Sequence, residues 1–140
     1  MSAPLSIRFP PDVLDRLRRR AQSIPGSTPS GLAIRLVEEG LRQVEHPGIV
    51  FKDGPTGRRA ALAFGPDVWE VVKALREFDE RGPAAISGTA DLLGLTDPAV
   101  RIALAYYSDH PEEIDAEIAA ADEASERAER AWLSEQRLLA

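Results

Sequence analysis

The sequence predicts a mainly α-helical chain with short β elements, and three observations carry that prediction. Apolar residues recur at helical spacing through most of the 140 residues. Strict apolar–polar alternation is confined to one stretch near the start, Leu5-Ser6-Ile7-Arg8-Phe9. The other strand-like runs, Ile49-Val50-Phe51 and residues 58–64, are short and flank a turn rich in glycine and proline.

The first element is a strand over residues 5–9, with Leu5, Ile7 and Phe9 on one face and Ser6 and Arg8 on the other. Pro10-Pro11 ends it, because neither proline has an N–H and each fixes φ. So short a strand is not stable unpaired, and its nearest partner is the same strand of a second chain. Residues 12 to about 23 read as a helix, with Val13, Leu14, Leu17, Ala21 and Ile24 at helical spacing and Arg16, Arg18, Arg19 and Arg20 on other faces. Pro25-Gly26 stops it. Thr28-Pro29 starts a second helix, threonine as N-cap and proline in the first turn. Leu32, Ala33, Leu36, Val37, Leu41 and Val44 carry that helix to about residue 44.

His46-Pro47-Gly48 breaks the pattern and marks a domain boundary. A small hairpin follows, Ile49-Val50-Phe51 and residues 58–64 with 52–57 as its turn. Gly65-Pro66-Asp67 opens a helix striped by Val68, Val71, Val72, Leu75 and Phe78, with Arg81-Gly82-Pro83 as its stop. A short helix over 85–93 ends at Gly94, and Thr96-Asp97-Pro98 starts another with Val100, Ala103, Leu104 and Tyr107 on one face. That pair is helix-turn-helix-like. After His110-Pro111 nothing interrupts a helix over 112–139. Its stripe of Ile114, Ile118, Ala121, Ser125, Ala128, Trp132 and Leu139 is thin, so the helix needs a partner surface, with Trp132 as the natural anchor. The expected division is 1–45, 46–111 and 112–140.

Charge is distributed along the same lines. Residues 1–45 carry seven arginines against five acids (+2), residues 46–110 seven bases against nine acids (−2), and residues 111–140 three arginines against nine acids (−6), for a net −6. A mildly basic head is therefore joined to an acidic tail. Without cysteine there are no disulfides, thiolate nucleophiles or Cys-type metal sites. The longest apolar runs are far too short to span a bilayer and no secretory signal is visible, so a cytoplasmic location is expected.

Catalytic chemistry finds little support. His46 and His110 each precede a proline at an element boundary and read as linker residues. Gly54-Pro55-Thr56-Gly57-Arg58-Arg59 has the glycines and bases of a phosphate loop without its GxxxxGK[ST] form, and reads as a hairpin turn. No catalytic set, metal site or cofactor is expected, and the chain is not expected to be an enzyme.

The head is more informative. Strand, helix and helix in about 45 residues lie near the size at which one chain struggles to bury a core, and an intertwined dimer solves that. Pairing two strands antiparallel over four helices turns Leu5, Ile7 and Phe9 inward and Ser6 and Arg8 outward. A two-stranded ribbon fits the DNA major groove, where arginine bonds a guanine edge and serine bonds either partner. Free N–H groups near Ser27, Thr28 and Ser30 at the start of the second helix suit a phosphate. The alternative is a protein–protein dimer module in which Arg8 is merely solvated.

Residues 3–44, through Leu5-Ser6-Ile7-Arg8-Phe9-Pro10-Pro11-Asp12-Val13-Leu14-Asp15, the glycine turn and the second helix, closely resemble the ribbon-helix-helix family of the Arc and MetJ repressors. In that family the outward strand residues read bases; they match Ser6 and Arg8, with Pro4 where a third reader often sits. Residues 46–118 resemble the antitoxin-associated family DUF433. The matching stretches are His46-Pro47-Gly48-Ile49-Val50-Phe51, Gly57-Arg58-Arg59, Asp67-Val68-Trp69-Glu70-Val71-Val72, Leu92-Leu93-Gly94-Leu95-Thr96, Val100-Arg101-Ile102-Ala103-Leu104-Ala105-Tyr106-Tyr107 and His110-Pro111-Glu112-Glu113-Ile114-Asp115. That family is winged-helix-like and typically encoded beside PIN-like ribonuclease toxins.

Together the two modules are similar to a VapB-type antitoxin. The resemblance implies a ribbon-helix-helix dimer domain, a small winged-helix or helix-turn-helix-like domain and a C-terminal helix. The implied function is that of a type II antitoxin, a homodimer that neutralises a PIN-like ribonuclease and represses its own operon on operator double-stranded DNA. Ile114, Ile118, Trp132 and Leu139 are the expected toxin contacts. The alternative is a stand-alone ribbon-helix-helix regulator whose middle domain binds a ligand or a second DNA segment, Arg101 touching a phosphate.

Overall fold

The computed structural model describes residues 2–54 and 57–140 and is mainly α-helical, with one small two-stranded antiparallel hairpin. It divides into two compact units, Met1–Arg42 and Gln43–Ala140.

The first unit holds α1 (Pro11–Gln22) and most of α2 (Pro29–Glu45). Proline sits in the first turn of α1, as expected from its missing N–H, and Arg19 and Arg20 fall in the last turn, where the helix dipole favours cations. Thr28 caps α2, its Oγ1 accepting from the Gly31 N–H at 3.1 Å. Ala21 and Leu32 are buried. Glu39 is also buried, with Arg35 at 3.9 Å on the previous turn. Residues 2–10 carry no secondary structure within the single chain, and Leu5, Ile7 and Phe9 are all exposed. The strand expected over residues 5–9 is therefore not formed inside one chain.

The second unit begins with β1 (Ile49–Gly54) and β2 (Gly57–Leu62), paired from Ile49↔Leu62 to Gly54↔Gly57. The strands run further into the expected turn than 52–57 allows, and Pro55 and Thr56 lie outside the described residues. Arg58 and Asp53 are direct cross-strand partners and form an ion pair at 3.3 Å. The second strand stops at Leu62, not at 64. Phe64 lies in the following turn and is fully exposed.

Four helices complete the unit: α3 (Val68–Arg76), α4 (Pro83–Leu93), α5 (Asp97–Asp109) and α6 (Pro111–Leu139). α3 ends before Phe78, five residues short of the expected Arg81 stop, and Arg81 Nη1 instead donates to the carbonyls of Phe78, Asp79 and Glu80. Gly94, at φ 67°, closes α4 in the left-handed conformation, and Thr96 caps α5 by accepting from the Ala99 N–H. The core joins Ile49, Ala60 and Leu62 of the hairpin to Val68, Val71 and Val72 of α3, Val100, Ala103 and Tyr106 of α5, and Ile114 and Ile118 of α6. The start of the expected third segment is thus part of the second unit's core rather than set apart. Beyond Ala121, α6 is exposed to its end.

Candidate functional site

Two surfaces bring the sequence-predicted residues together, one on each unit. On the first unit, Leu5, Ile7 and Phe9 line an open groove of about 640 Å³ whose other walls include Leu14 and Leu17 of α1 and Ala33, Ile34, Val37 and Leu41 of α2. Leu5 is 82%, Ile34 70% and Val37 57% exposed. Such a concentration of exposed large apolar side chains on so small a unit is the kind of patch found at interaction sites. Ser6 and Arg8 are exposed between the groove residues, and Arg16, Arg18, Arg19 and Arg20 are exposed on α1.

Ser27 and Thr28, before the N-terminus of α2, line a cleft of about 300 Å³ together with Gly31 and Arg35, whereas Ser30 lies on the wall of the apolar groove. Thr28 Oγ1 is taken up by the Gly31 N–H and the Ser27 N–H by the Ile24 carbonyl. Arg35 was not among the residues the sequence singled out. It lies two turns into α2, and only the folded helix brings it round to the cleft. An anion there would meet the positive end of the helix and one guanidinium.

The expected partner-binding residues of α6 separate into two pairs. Ile114 and Ile118 are buried in the core, whereas Trp132 is 58% and Leu139 73% exposed. Ile114 and Ile118 therefore hold α6 to its own unit, and a docking face on the helix as it stands consists of the distal residues, with Leu133 and Leu138 also exposed.

Polar contacts fasten the proximal half of α6. Tyr106 donates to Glu113 at 2.6 Å. Arg76 donates to Asp115 at 2.8 Å and to the Tyr107 hydroxyl at 2.6 Å, and Tyr107 donates to Asp115 at 3.0 Å. These hydrogen bonds, Arg76's first, hold the Asp115 carboxyl below its ordinary value, while the bond to Asp115 raises Tyr107. Lys73 bonds Asp122, which raises the lysine's pKa.

His46 and His110 sit at element boundaries, yet they are not solvated linkers. His46 is 8% exposed with Nε2 2.8 Å from Asp109 Oδ2. The Tyr106 ring stands 5.2 Å from His46 and 4.6 Å from His110, between centroids. The helix is interrupted at His110, φ −131° and ψ 52°, which lies between the end of α5 and the start of α6. Arg59, Asp67 and Trp69 form a neighbouring cluster: Asp67 accepts from Trp69 Nε1 at 3.1 Å and pairs with Arg59 at 2.7 Å. Among the described residues no group of three or more His, Asp or Glu is arranged to hold a metal ion, and no helix is long and apolar enough to cross a membrane.

The chain matches no family model, no curated protein and no solved structure.

Proposed function

We propose that this chain is a dimeric, DNA-binding antitoxin of the type II kind, which neutralises a PIN-like ribonuclease and represses its own operon. The observation that carries the DNA-binding part is the first unit's surface. A row of exposed apolar side chains, Leu5, Ile7 and Phe9, borders an apolar groove, while Ser6 and Arg8 alternate with them. Pairing residues 5–9 with a second copy covers the row, supplies the missing strand edge and leaves Ser6 and Arg8 outermost, where a ribbon in a major groove reads bases. Ser27, Thr28 and Arg35 then serve the flanking phosphates.

The distal half of α6 supports the partner-binding part. It is an acidic helix with Trp132 and Leu139 exposed, suited to an apolar groove bordered by basic side chains. The fold of the second unit fits a small helix-turn-helix-like module, α4 and α5 being joined by Gly94-Leu95-Thr96.

The test is binding of the full chain to DNA from its own promoter across a salt series. Arg8→Ala is expected to cost about 1–3 kcal/mol and to relax base preference. Wild-type affinity and preference in that variant would defeat the groove reading. A second reading, a stand-alone regulator, is favoured by the exposure of Arg101 on α5. If the full chain captures no ribonuclease encoded beside it, while the second unit, residues 43–140, binds DNA in a salt-sensitive way, that second reading gains.

A further inference from the structure

Glu117 is the side chain that the contacts of α6 leave over. It lies one turn after Glu113 and one residue before the buried Ile118, on the part of the helix that packs against α3. Its Oε2 is buried and meets no hydrogen-bond donor among the described residues. The groups facing it are mostly of its own sign. Glu113 comes from the preceding turn of α6, Asp67 from the start of α3 and Arg59 from β2. Arg59, the one cation of the set, is already paired with Asp67 at 2.7 Å. Of the other polar groups around the seat of α6, Tyr106 of α5 donates to Glu113, Lys73 and Arg76 of α3 go to Asp122 and Asp115, and His110, at the α5–α6 junction, has a buried Nε2 that makes no hydrogen bond among the described residues. Three carboxylates therefore share one guanidinium at the seat of α6.

We infer that α6 is seated through a proton: Glu117 is a neutral carboxylic acid while the helix is docked on α3, and it ionises when the helix lifts away. Burial of one oxygen without a donor penalises the carboxylate, and Glu113 and Asp67 penalise it further. A carboxylic acid avoids both penalties and keeps its acceptor oxygen. The same reasoning explains the direction of its titration: burial first, then Glu113 and Asp67, against Arg59, push the group up to about 7. Docking of the helix is then linked to proton uptake. Acid favours the seated helix, and mild alkali loosens Ile114 and Ile118 from the core. The device belongs to the second unit alone and holds whatever the distal helix binds.

The test is hydrogen exchange of the full chain between pH 5.5 and 8.5, corrected for intrinsic rates and read at the amides of residues 114–121. Wild-type protection is expected to fall about tenfold across pH 6–8 and then level off, one pK unit of differential binding being tenfold. Glu117→Gln, a neutral isostere, is expected to hold the acid-side protection throughout, while Glu126→Gln, on the exposed half of the helix, behaves as wild type. A carbon-13 titration of the Glu117 carboxyl gives a second reading, expected near neutrality. Protection that does not vary with pH, a pH dependence that survives in Glu117→Gln, or a carboxyl midpoint near 4.5 would each overturn the inference.

Discussion

The hydroxyl of Tyr106 donates to Glu113 Oε2 at 2.6 Å, tying the largest fully buried side chain among the described residues to the first turn of α6. The rest of the ring is core, so this bond, like that of Tyr107 to Asp115, joins α5 and α6 by chemistry as well as packing. Tyr106→Phe keeps the packing and removes the donor to a charged acceptor. It is expected to cost about 1–2 kcal/mol, seen as a lower urea midpoint with an unchanged slope.

Gly48 opens β1 with φ at 96°, and a Cβ there would lie 3.1 Å from Ile102 Cδ1. Backbone and space both oppose a side chain at this position. Gly48→Ala should lose about 1–3 kcal/mol, whereas Gly40→Ala, where a Cβ meets nothing within 4 Å, should gain helix stability by up to about 1 kcal/mol. Thermal unfolding of the two variants side by side checks both signs.

Ile7 is 57% exposed in one chain and central to the proposed pairing. Ile7→Asp would place two carboxylates in an apolar interface. The dimer dissociation constant is expected to rise at least about a hundredfold, roughly 3 kcal/mol. Sedimentation velocity over a concentration series reads it, and an unchanged dimer would show that residues 5–9 are not the contact.

Asp115 gives a pH dependence of ordinary sign. Its folded value is held below 3.8 by Arg76 first and Tyr107 second. The stability it contributes is therefore full above 3.8 and is lost as pH falls through the lowered folded value. Asp115→Asn should melt below wild type at pH 6, and the gap between the two should close as pH falls through that lowered value. A gap that stays constant would show that the carboxylate charge is not what matters.

Much of the helical layout was legible because local chemistry marks it: Pro11, the Thr28-Pro29 and Thr96 starts and the Gly94 stop are all decided within a few residues. What was not legible depends on tertiary phase. On α5 the expected inward tyrosine was Tyr107, yet Tyr106 is the buried one, because a single residue is about 100° on a helix and the stripe alone does not resolve that step. Phe78 and Phe64 were read as parts of a helix and a strand, and both lie just past the end of their element. His46 was read as a linker residue because it precedes a proline at an element boundary, and only the return of α5 brings Asp109 within 2.8 Å. On the first unit the alternation of residues 5–9 was plain, while Arg35 emerged only with the turn of α2 that carries it toward Ser27.

The docked start of α6 also bears on its free end. A helix of 29 residues is about 43 Å long, and its distal half has no body of its own to fold against. An isolated segment of that length would have to initiate its first turn unaided, at a statistical weight of about one in a thousand. In the whole chain it never does so: the turns pinned by Ile114 and Ile118 serve as a nucleus, and the residues beyond them only propagate. The order of Trp132 and Leu139 is thus inherited from a junction some 20 residues upstream, and whatever loosens that junction is felt at the tip through the cooperativity of a single helix.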